Sequence, residues 1–114
     1  MTSPLPNNAE VRKGMPVYSG FIKYFPHAIA ACSELSRIGN EQHHPGAPLH
    51  WDHTKSKDEL DALLRHLSDH AIDPEHRDPD GILAAVKILW RAAANLERMH
   101  RDGVNIYHAE KEHQ

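Results

Sequence analysis

The sequence contains one cysteine and no long apolar run, and each of these features excludes certain kinds of protein. Cys32 alone cannot form a disulfide within the chain, and it excludes a zinc site built from several cysteines. No run of 18 apolar residues occurs, so we expect no membrane-spanning helix. Residues 1–8 lack a basic start followed by an apolar run, so no secretory signal is expected. The predicted location is the cytoplasm.

An excess of charge of one sign is also missing. The chain has 13 Lys and Arg against 16 Asp and Glu, and its formal net charge is −3 with its 11 histidines neutral. The basic residues form no run that could follow a phosphate backbone, so duplex nucleic acid is not an expected partner. With 114 residues, of which 39% are hydrophobic and 25% charged, the composition is typical of one folded domain.

Two helices are predicted in the first two thirds of the chain. The first begins near Tyr24, with Pro26 in its first turn and Gly39 as its end. The second begins with a capping box formed by Ser56 and Glu59. Its apolar positions recur every three or four residues and predict a stripe that must be buried, namely Leu60, Leu63, Leu64, Leu67 and Ala71.

A third helix is expected to run to about Arg101, with Gly103 as its stop, and Asp78 or Asp80 as its cap. Its apolar residues wrap around more than one stripe, which indicates a central helix contacted from several sides. The predicted fold is an all-α bundle of three main helices. We divide the chain into an N-terminal arm over 1–20, a helical domain over 21–103 and a tail over 104–114.

The predicted loop from Asn40 to Lys55 is too long for an ordinary helix connection, which favours either a binding loop or disorder. It contains Trp51 and several histidines, and a tryptophan favours the ordered alternative. We expect Trp51 and His43 to contact a ligand. The loop histidines could supply imidazoles to zinc, but no carboxylate or cysteine spacing completes such a site.

Acidic residues on the predicted helices form a second candidate site. Asp58, Asp61 and Arg65 share one face of the second helix, where two carboxylates could hold a divalent cation and the arginine a phosphate. The alternative is a solvated face with one ion pair. Glu34 lies at the margin of an apolar face and is either functional or a boundary glutamate, and His66 is open to the same two interpretations.

A series of short segments resembles a known family, the phage dATP/dGTP diphosphohydrolase domain family, which is similar to the MazG-type all-α nucleoside triphosphate pyrophosphohydrolases. The matching residues extend from about Pro16 to Glu97. They are Tyr24-Phe25-Pro26, Glu34-Leu35-Ser36, Gly39-Asn40, Gln42-His43, Pro45-Gly46, Pro48-Leu49-His50-Trp51, Lys55-Ser56, Asp58, Asp61, Arg65-His66-Leu67, Asp80-Gly81 and Trp90-Arg91-Ala92.

The resemblance implies a helical homo-oligomer that uses Mg²⁺ or Mn²⁺ to cleave a deoxypurine triphosphate into monophosphate and pyrophosphate. Metal ions would neutralise the polyphosphate and help to generate the attacking hydroxide. The implied metal ligands are Glu34, Asp58, Asp61 and Asp80, of which Glu34 and Asp61 are also catalytic. The implied substrate-binding residues are Asn40, His43, Trp51, Lys55, Arg65 and His66.

The chain departs from the pattern at the first metal helix. MazG-type enzymes carry several glutamates there, whereas this chain has Glu34 with Ala30 and Ala31, and Ala84 stands where several relatives place a histidine. The alternative prediction is therefore a phage protein that binds a nucleotide or cyclic-nucleotide signal and sequesters it without cleaving it.

Overall fold

The computed structural model describes residues 4–54 and 57–109, and within these ranges the chain is all-helical. The elements are α1 (Ala9–Lys13), a π-helical turn (Tyr18–Ile22), α2 (Pro26–His43), α3 (Glu59–Ile72) and α4 (Ala84–Arg101). These ranges contain no strand, although Arg77 and Leu83 form an isolated β-bridge. No helix in them is long and apolar enough to cross a membrane. The predicted all-α class is confirmed.

The chain forms two compact units, Met1–Ala31 and Cys32–Gln114, and the division falls within α2. The first unit contains more structure than the irregular arm predicted for 1–20. Asn8 begins α1, because its side-chain oxygen accepts hydrogen bonds from the backbone nitrogens of Glu10 at 2.9 Å and Val11 at 3.2 Å. The predicted division at residues 20 and 103 stays a prediction.

Helix α2 does not end at Gly39, so that prediction was wrong. The helix continues to His43, and Gly39 is not among the glycines with positive φ. Glycine ends a helix only when it adopts the left-handed conformation; in a helix interior it merely weakens the helix. Part of the predicted loop is therefore helical, and Asn40 projects from the last turn, where its amide donates a 3.0 Å hydrogen bond to the Ala47 carbonyl.

Helices α3 and α4 pack against each other through a tight turn. Gly81 has a φ of +81°, and its backbone nitrogen donates to the Asp78 carbonyl at 2.8 Å. The Ala84 nitrogen donates to the His76 carbonyl at 2.9 Å, which closes the turn immediately before α4. At the other end of α4, Gly103 has a φ of +91° and Val104 donates to the Met99 carbonyl at 3.0 Å, so the predicted stop is confirmed.

The leucine stripe of α3 is largely exposed in the single chain, contrary to the prediction that it is buried. Leu60, Leu64 and Leu67 are 58%, 62% and 47% exposed. The buried residues of α3 are instead Glu59, Ala62 and His66. Since successive residues are rotated by about 100° around a helix, this polar face lies beside the leucine stripe, and it is the face that packs on α4.

The prediction that the last helix is central is confirmed within the second unit. On one side Arg91 of α4 pairs with Glu59 of α3, and on another the Trp90 indole donates to the Ser36 hydroxyl at 2.9 Å. Cys32 lies against α4 with its sulfur 3.7 Å from the Val86 carbonyl oxygen, and burial raises the pKa of its thiol. The buried apolar core among the described residues is small: Ala62, Ile82, Ala84 and Ala94.

Candidate functional site

A cleft of about 930 Å³ in the second unit, here called the main cleft, collects most of the residues predicted to bind substrate. It lies between α2, the loop that follows α2, α3, the turn before α4, and α4 itself. Pockets for small molecules typically occupy about 300 to 1,000 Å³. The predicted site residues that line it are Asn40, His43, Trp51, Arg65, His66 and Asp80.

The other predicted site residues lie elsewhere. Asp58 and Asp61 line a second cleft of about 410 Å³, together with Arg98 and Asp102. Glu34 is exposed on α2. Lys55 lies outside the described residues, as does Ser56 of the predicted capping box. The four carboxylates predicted to hold a metal are thus distributed over different places in the second unit, and their shared metal site stays a prediction.

Two tryptophans form the aromatic part of the main cleft. The ring centroids of Trp51 and Trp90 are 6.0 Å apart, with an interplanar angle of 82°. The hydrogen bond from the Trp90 indole to Ser36 fixes that ring. The Arg98 and Arg101 guanidiniums each lie 6.0 Å from the centre of the Trp51 ring, close enough for cation–π attraction. Trp51 is therefore held in place while staying partly exposed to the cleft.

Several residues of the loop that carries Trp51 contact one another, and its role as an ordered binding loop stays a prediction. The His44 and His50 rings lie 4.8 Å apart, and Nδ1 of His50 is 3.2 Å from the Pro48 carbonyl oxygen. The Asp52 carboxylate accepts hydrogen bonds from the Thr54 backbone nitrogen at 3.0 Å and from its hydroxyl at 2.6 Å. The loop thereby brings several imidazoles and one aromatic side chain to the cleft.

Lys87 binds both aspartates of the turn before α4. Its ammonium lies 2.7 Å from Asp78 and 2.7 Å from Asp80, and all three side chains are mostly buried. The hydrogen bond from Lys87 lowers the pKa of Asp78. Burial tends to raise the pKa of Asp80, but the hydrogen bonds from Lys87 and the Ile82 backbone outweigh it and lower that pKa. Burial likewise tends to lower the pKa of Lys87, but the two carboxylates raise it.

This arrangement corrects the prediction that Asp78 or Asp80 caps the last helix. The residue at the cap position of α4 is Leu83, which makes no side-chain capping bond. Asp80 instead accepts a 3.0 Å hydrogen bond from the Ile82 nitrogen, which holds the turn. The aspartates precede the helix closely enough to look like caps, but the three extra residues of the turn place them beside Lys87.

Glu59 is a functional candidate that the sequence did not reveal. It is only 3% exposed, and its carboxylate contacts Arg91 at 3.0 Å and Arg98 at 3.4 Å. The predicted capping box assigned Glu59 to the backbone of its own helix. The only available signal was that Arg91 and Arg98 lie two turns apart on one face of α4, where both can reach a single acid.

His66 and Arg65 are neighbours in α3 with different environments. His66 is 6% exposed and its Nδ1 lies 3.9 Å from Asp78. The pKa of His66 is lowered, and burial is the largest cause. Asp78 tends to raise this pKa, whereas the positive charges of Lys87, Arg65 and Arg91 lower it further. Arg65 is exposed and forms no ion pair within residues 4–54 and 57–109, so its guanidinium is available to an anion in the cleft.

No known protein family, curated protein or solved structure matches this chain.

Proposed function

We propose that the second unit binds a purine nucleoside triphosphate in the main cleft, with the base against Trp51 and the phosphates beside Arg65. The observation that carries the proposal is the charge arrangement. Four acidic residues line the cleft, and each contacts donors of the protein: Asp52 in the loop, Glu59 on α3, and Asp78 and Asp80 before α4. Arg65 is left facing the cleft, so an anionic ligand meets a cation rather than free carboxylates.

The shape and the aromatic lining support the same ligand class. A nucleotide needs a flat apolar surface for its base and polar donors for its phosphates, and the cleft offers both on opposite elements. Trp51 is on the loop and Arg65 is on α3. Where bases stack on aromatic side chains in nucleic-acid-binding proteins, each stack contributes roughly 1 to 3 kcal/mol. Purine preference comes from the family resemblance alone.

Cleavage of the bound nucleotide is the second candidate function, and it rests on the resemblance to the diphosphohydrolase family together with the placement of Asp58 and Asp61 side by side in the second cleft. Water would attack the α phosphorus, the bond to the β phosphate would break, and monophosphate, pyrophosphate and a proton would result. Mg²⁺ or Mn²⁺ would be required. Because Asp80 is held by Lys87 and Glu34 lies apart, binding without cleavage is the function that the geometry favours.

We also propose that the protein is a homo-oligomer related to MazG-like helical assemblies. The exposed stripe of Leu60, Leu64 and Leu67 contrasts with a core whose buried apolar residues are mostly alanines. Burying such a stripe against a second copy would supply apolar contact that the single chain lacks. The cytoplasmic location stays a prediction.

Binding and cleavage are separated by one set of measurements. The wild type is titrated by calorimetry with dATP, dGTP, dAMP and deoxyadenosine, first with EDTA and then with Mn²⁺. Trp51→Ala should lose affinity for the nucleoside and the triphosphate alike, by tenfold or more for a stacked base. Arg65→Gln should weaken triphosphate binding by tenfold or more and leave deoxyadenosine nearly unchanged, because a lost charge-assisted bond costs about 1.5 to 3 kcal/mol.

Tyr107→Ala is the matched control, since it removes an exposed aromatic residue that does not line the cleft. If Trp51→Ala binds nucleotide as tightly as the wild type does, and its circular dichroism spectrum is equally helical, the proposal that the nucleotide binds in this cleft is wrong. Chromatography of the Mn²⁺ samples then distinguishes the two functions: monophosphate with pyrophosphate supports cleavage, and intact nucleotide supports sequestration. Diphosphate with phosphate would indicate a different reaction.

A further inference from the structure

Three side chains at the junction of α3 and the following turn place metal-ligating atoms close together. They are Asp69, His76 and Asp78, whose donor atoms all lie within 4.8 Å of one another; this is the one such group among residues 4–54 and 57–109. Nε2 of His76 lies 3.1 Å from Oδ1 of Asp78 and 3.8 Å from Oδ2 of Asp69. The imidazole thus stands between two carboxylates.

These separations are close to those of ligands around a small divalent ion. Zinc binds imidazole nitrogen and carboxylate oxygen at about 2.0 to 2.2 Å, and tetrahedral angles then separate neighbouring ligand atoms by about 3.3 to 3.6 Å. The observed distances of 3.1 and 3.8 Å lie on either side of this value. The Asp69 and His76 side chains are each 36% exposed, so they have room to rotate toward a bound ion.

His66 provides an independent observation that points to a ligand at this place. Its side chain is more than nine-tenths buried, and its Nδ1 makes no hydrogen bond with the described part of the chain. That nitrogen lies 3.9 Å from Oδ2 of Asp78, the oxygen that also accepts from Lys87, and both His66 and Asp78 line the main cleft. A buried polar atom without a partner costs free energy, which a bound ion would recover.

The charge of the surroundings also matches a divalent cation. Asp69, Asp78 and Asp80 bring three carboxylates to this corner; among the described residues Lys87 contacts Asp78 and Asp80, and Asp69 contacts the His76 imidazole. With neutral imidazoles, about two negative charges are left without a permanent counter-charge. Lys87 can keep its 2.7 Å contact with Asp80 while Asp78 is shared with the ion.

We propose that Asp69, His76 and Asp78 bind a divalent transition-metal ion of the zinc class, with the remaining coordination position open to water. Imidazole donors favour zinc and its neighbours over Mg²⁺, which prefers an all-oxygen shell with several waters. Since His66 and Asp78 also line the main cleft, the ion would lie at the cleft wall. The proposal does not depend on nucleotide binding.

The test uses the full metal-free chain and ZnCl₂ alone. Calorimetric titration should show a saturable site in the wild type, and Co²⁺ should give the intense visible absorption of a tetrahedral ion. His76→Gln removes one imidazole, and Asp69→Asn replaces a partly exposed carboxylate by an amide of the same shape. Each variant should weaken zinc binding at this site by tenfold or more. Circular dichroism establishes that each variant is folded, and Asp69→Asn keeps the test decisive if His76→Gln unfolds.

His50→Gln is the matched control, because the loop pair of His44 and His50 is the competing source of imidazoles. It should leave the zinc affinity unchanged. The proposal is overturned if the wild type binds no zinc, if folded His76→Gln and Asp69→Asn bind as the wild type does, or if His50→Gln alone abolishes binding. Competition by an equal concentration of Mg²⁺ would overturn the assignment to the zinc class.

Discussion

Single residues in the main cleft acquire their properties from partners that are distant in the sequence. Asp80 was predicted as a metal ligand; it pairs with Lys87, seven residues later, and its role as a ligand stays a prediction. Trp51, His43 and Asn40 could be placed in the cleft from the sequence because they lie in one unusual segment. Trp90 and Lys87 could not, because on a helix with many apolar residues nothing marks which of them face another element.

The ion pair between Lys87 and the two aspartates should contribute strongly to stability. Lys87→Met leaves two mostly buried carboxylates facing each other without a counter-charge, and breaking such a pair is costly. We expect the free energy of unfolding to fall by about 2 kcal/mol or more. The measurement is chemical denaturation near neutral pH with EDTA present, so that no bound ion can replace the lysine.

Lys13→Met is the matched control for this prediction. Lys13 forms an exposed ion pair with Glu10 at 3.5 Å, and such pairs contribute about 0 to 1 kcal/mol. The same substitution there should change stability by less than about 0.5 kcal/mol. Equal effects at both positions would mean that the contacts of Lys87 do not stabilise the fold.

At the scale of helices and turns, the sequence predicted each of the three main helices. It also predicted where the last of them, α4, ends. Gly103 ends α4 as expected, whereas Gly39 does not end α2. The difference is that Gly103 has a φ of +91° and Gly39 does not have a positive φ, which a sequence alone does not reveal. The leucines of α3 lie at the predicted helical spacing, but they are largely exposed in the single chain, because burial depends on packing and not on periodicity.

Two glycine substitutions should have opposite effects on stability. Gly39→Ala adds a methyl group with no atom within 4 Å outside its own helix, so it should raise the free energy of unfolding by about 0.5 to 1 kcal/mol through helix propensity. Gly81→Ala also meets no atom, but the φ of +81° is unfavourable for alanine and should cost about 1 to 2 kcal/mol. Thermal and chemical denaturation measure both changes. If Gly39→Ala is the destabilising variant, α2 ends near that residue after all.

At the scale of the whole molecule, the composition and helical periodicity were sufficient to predict an all-α fold, but not its state of assembly. The predicted apolar face of α3 exists, and yet in the single chain it is Glu59 and His66 that are buried. A sequence marks a face as apolar without distinguishing burial within one chain from burial between copies. The same ambiguity extends to the exposed stripe of α4, where Leu89 and Leu96 follow one another at helical spacing.

The last prediction is that a second copy of the chain covers the leucine stripe of α3. Burying the exposed part of one leucine contributes roughly 1 to 2 kcal/mol, so six leucines in a two-fold dimer contribute on the order of 6 to 12 kcal/mol, which is comparable to the cost of association. A charge placed in the middle of the stripe should therefore dissociate the assembly. We expect light scattering to show an oligomer for the wild type at micromolar concentration and a single chain for Leu64→Lys.

Ile72→Lys provides the comparison that separates the stripe from a general effect of charge. Ile72 is the last residue of α3 and is 82% exposed, more than Leu64, but its position on the helix is about 80° away from that of Leu64. Ile72→Lys should keep the oligomeric mass. If both variants dissociate, the added charge and not the leucine stripe is responsible. If the wild type is itself a single chain, the proposed oligomer does not exist. If only Leu64→Lys dissociates, the small core of the single chain is completed by the leucines of a second copy.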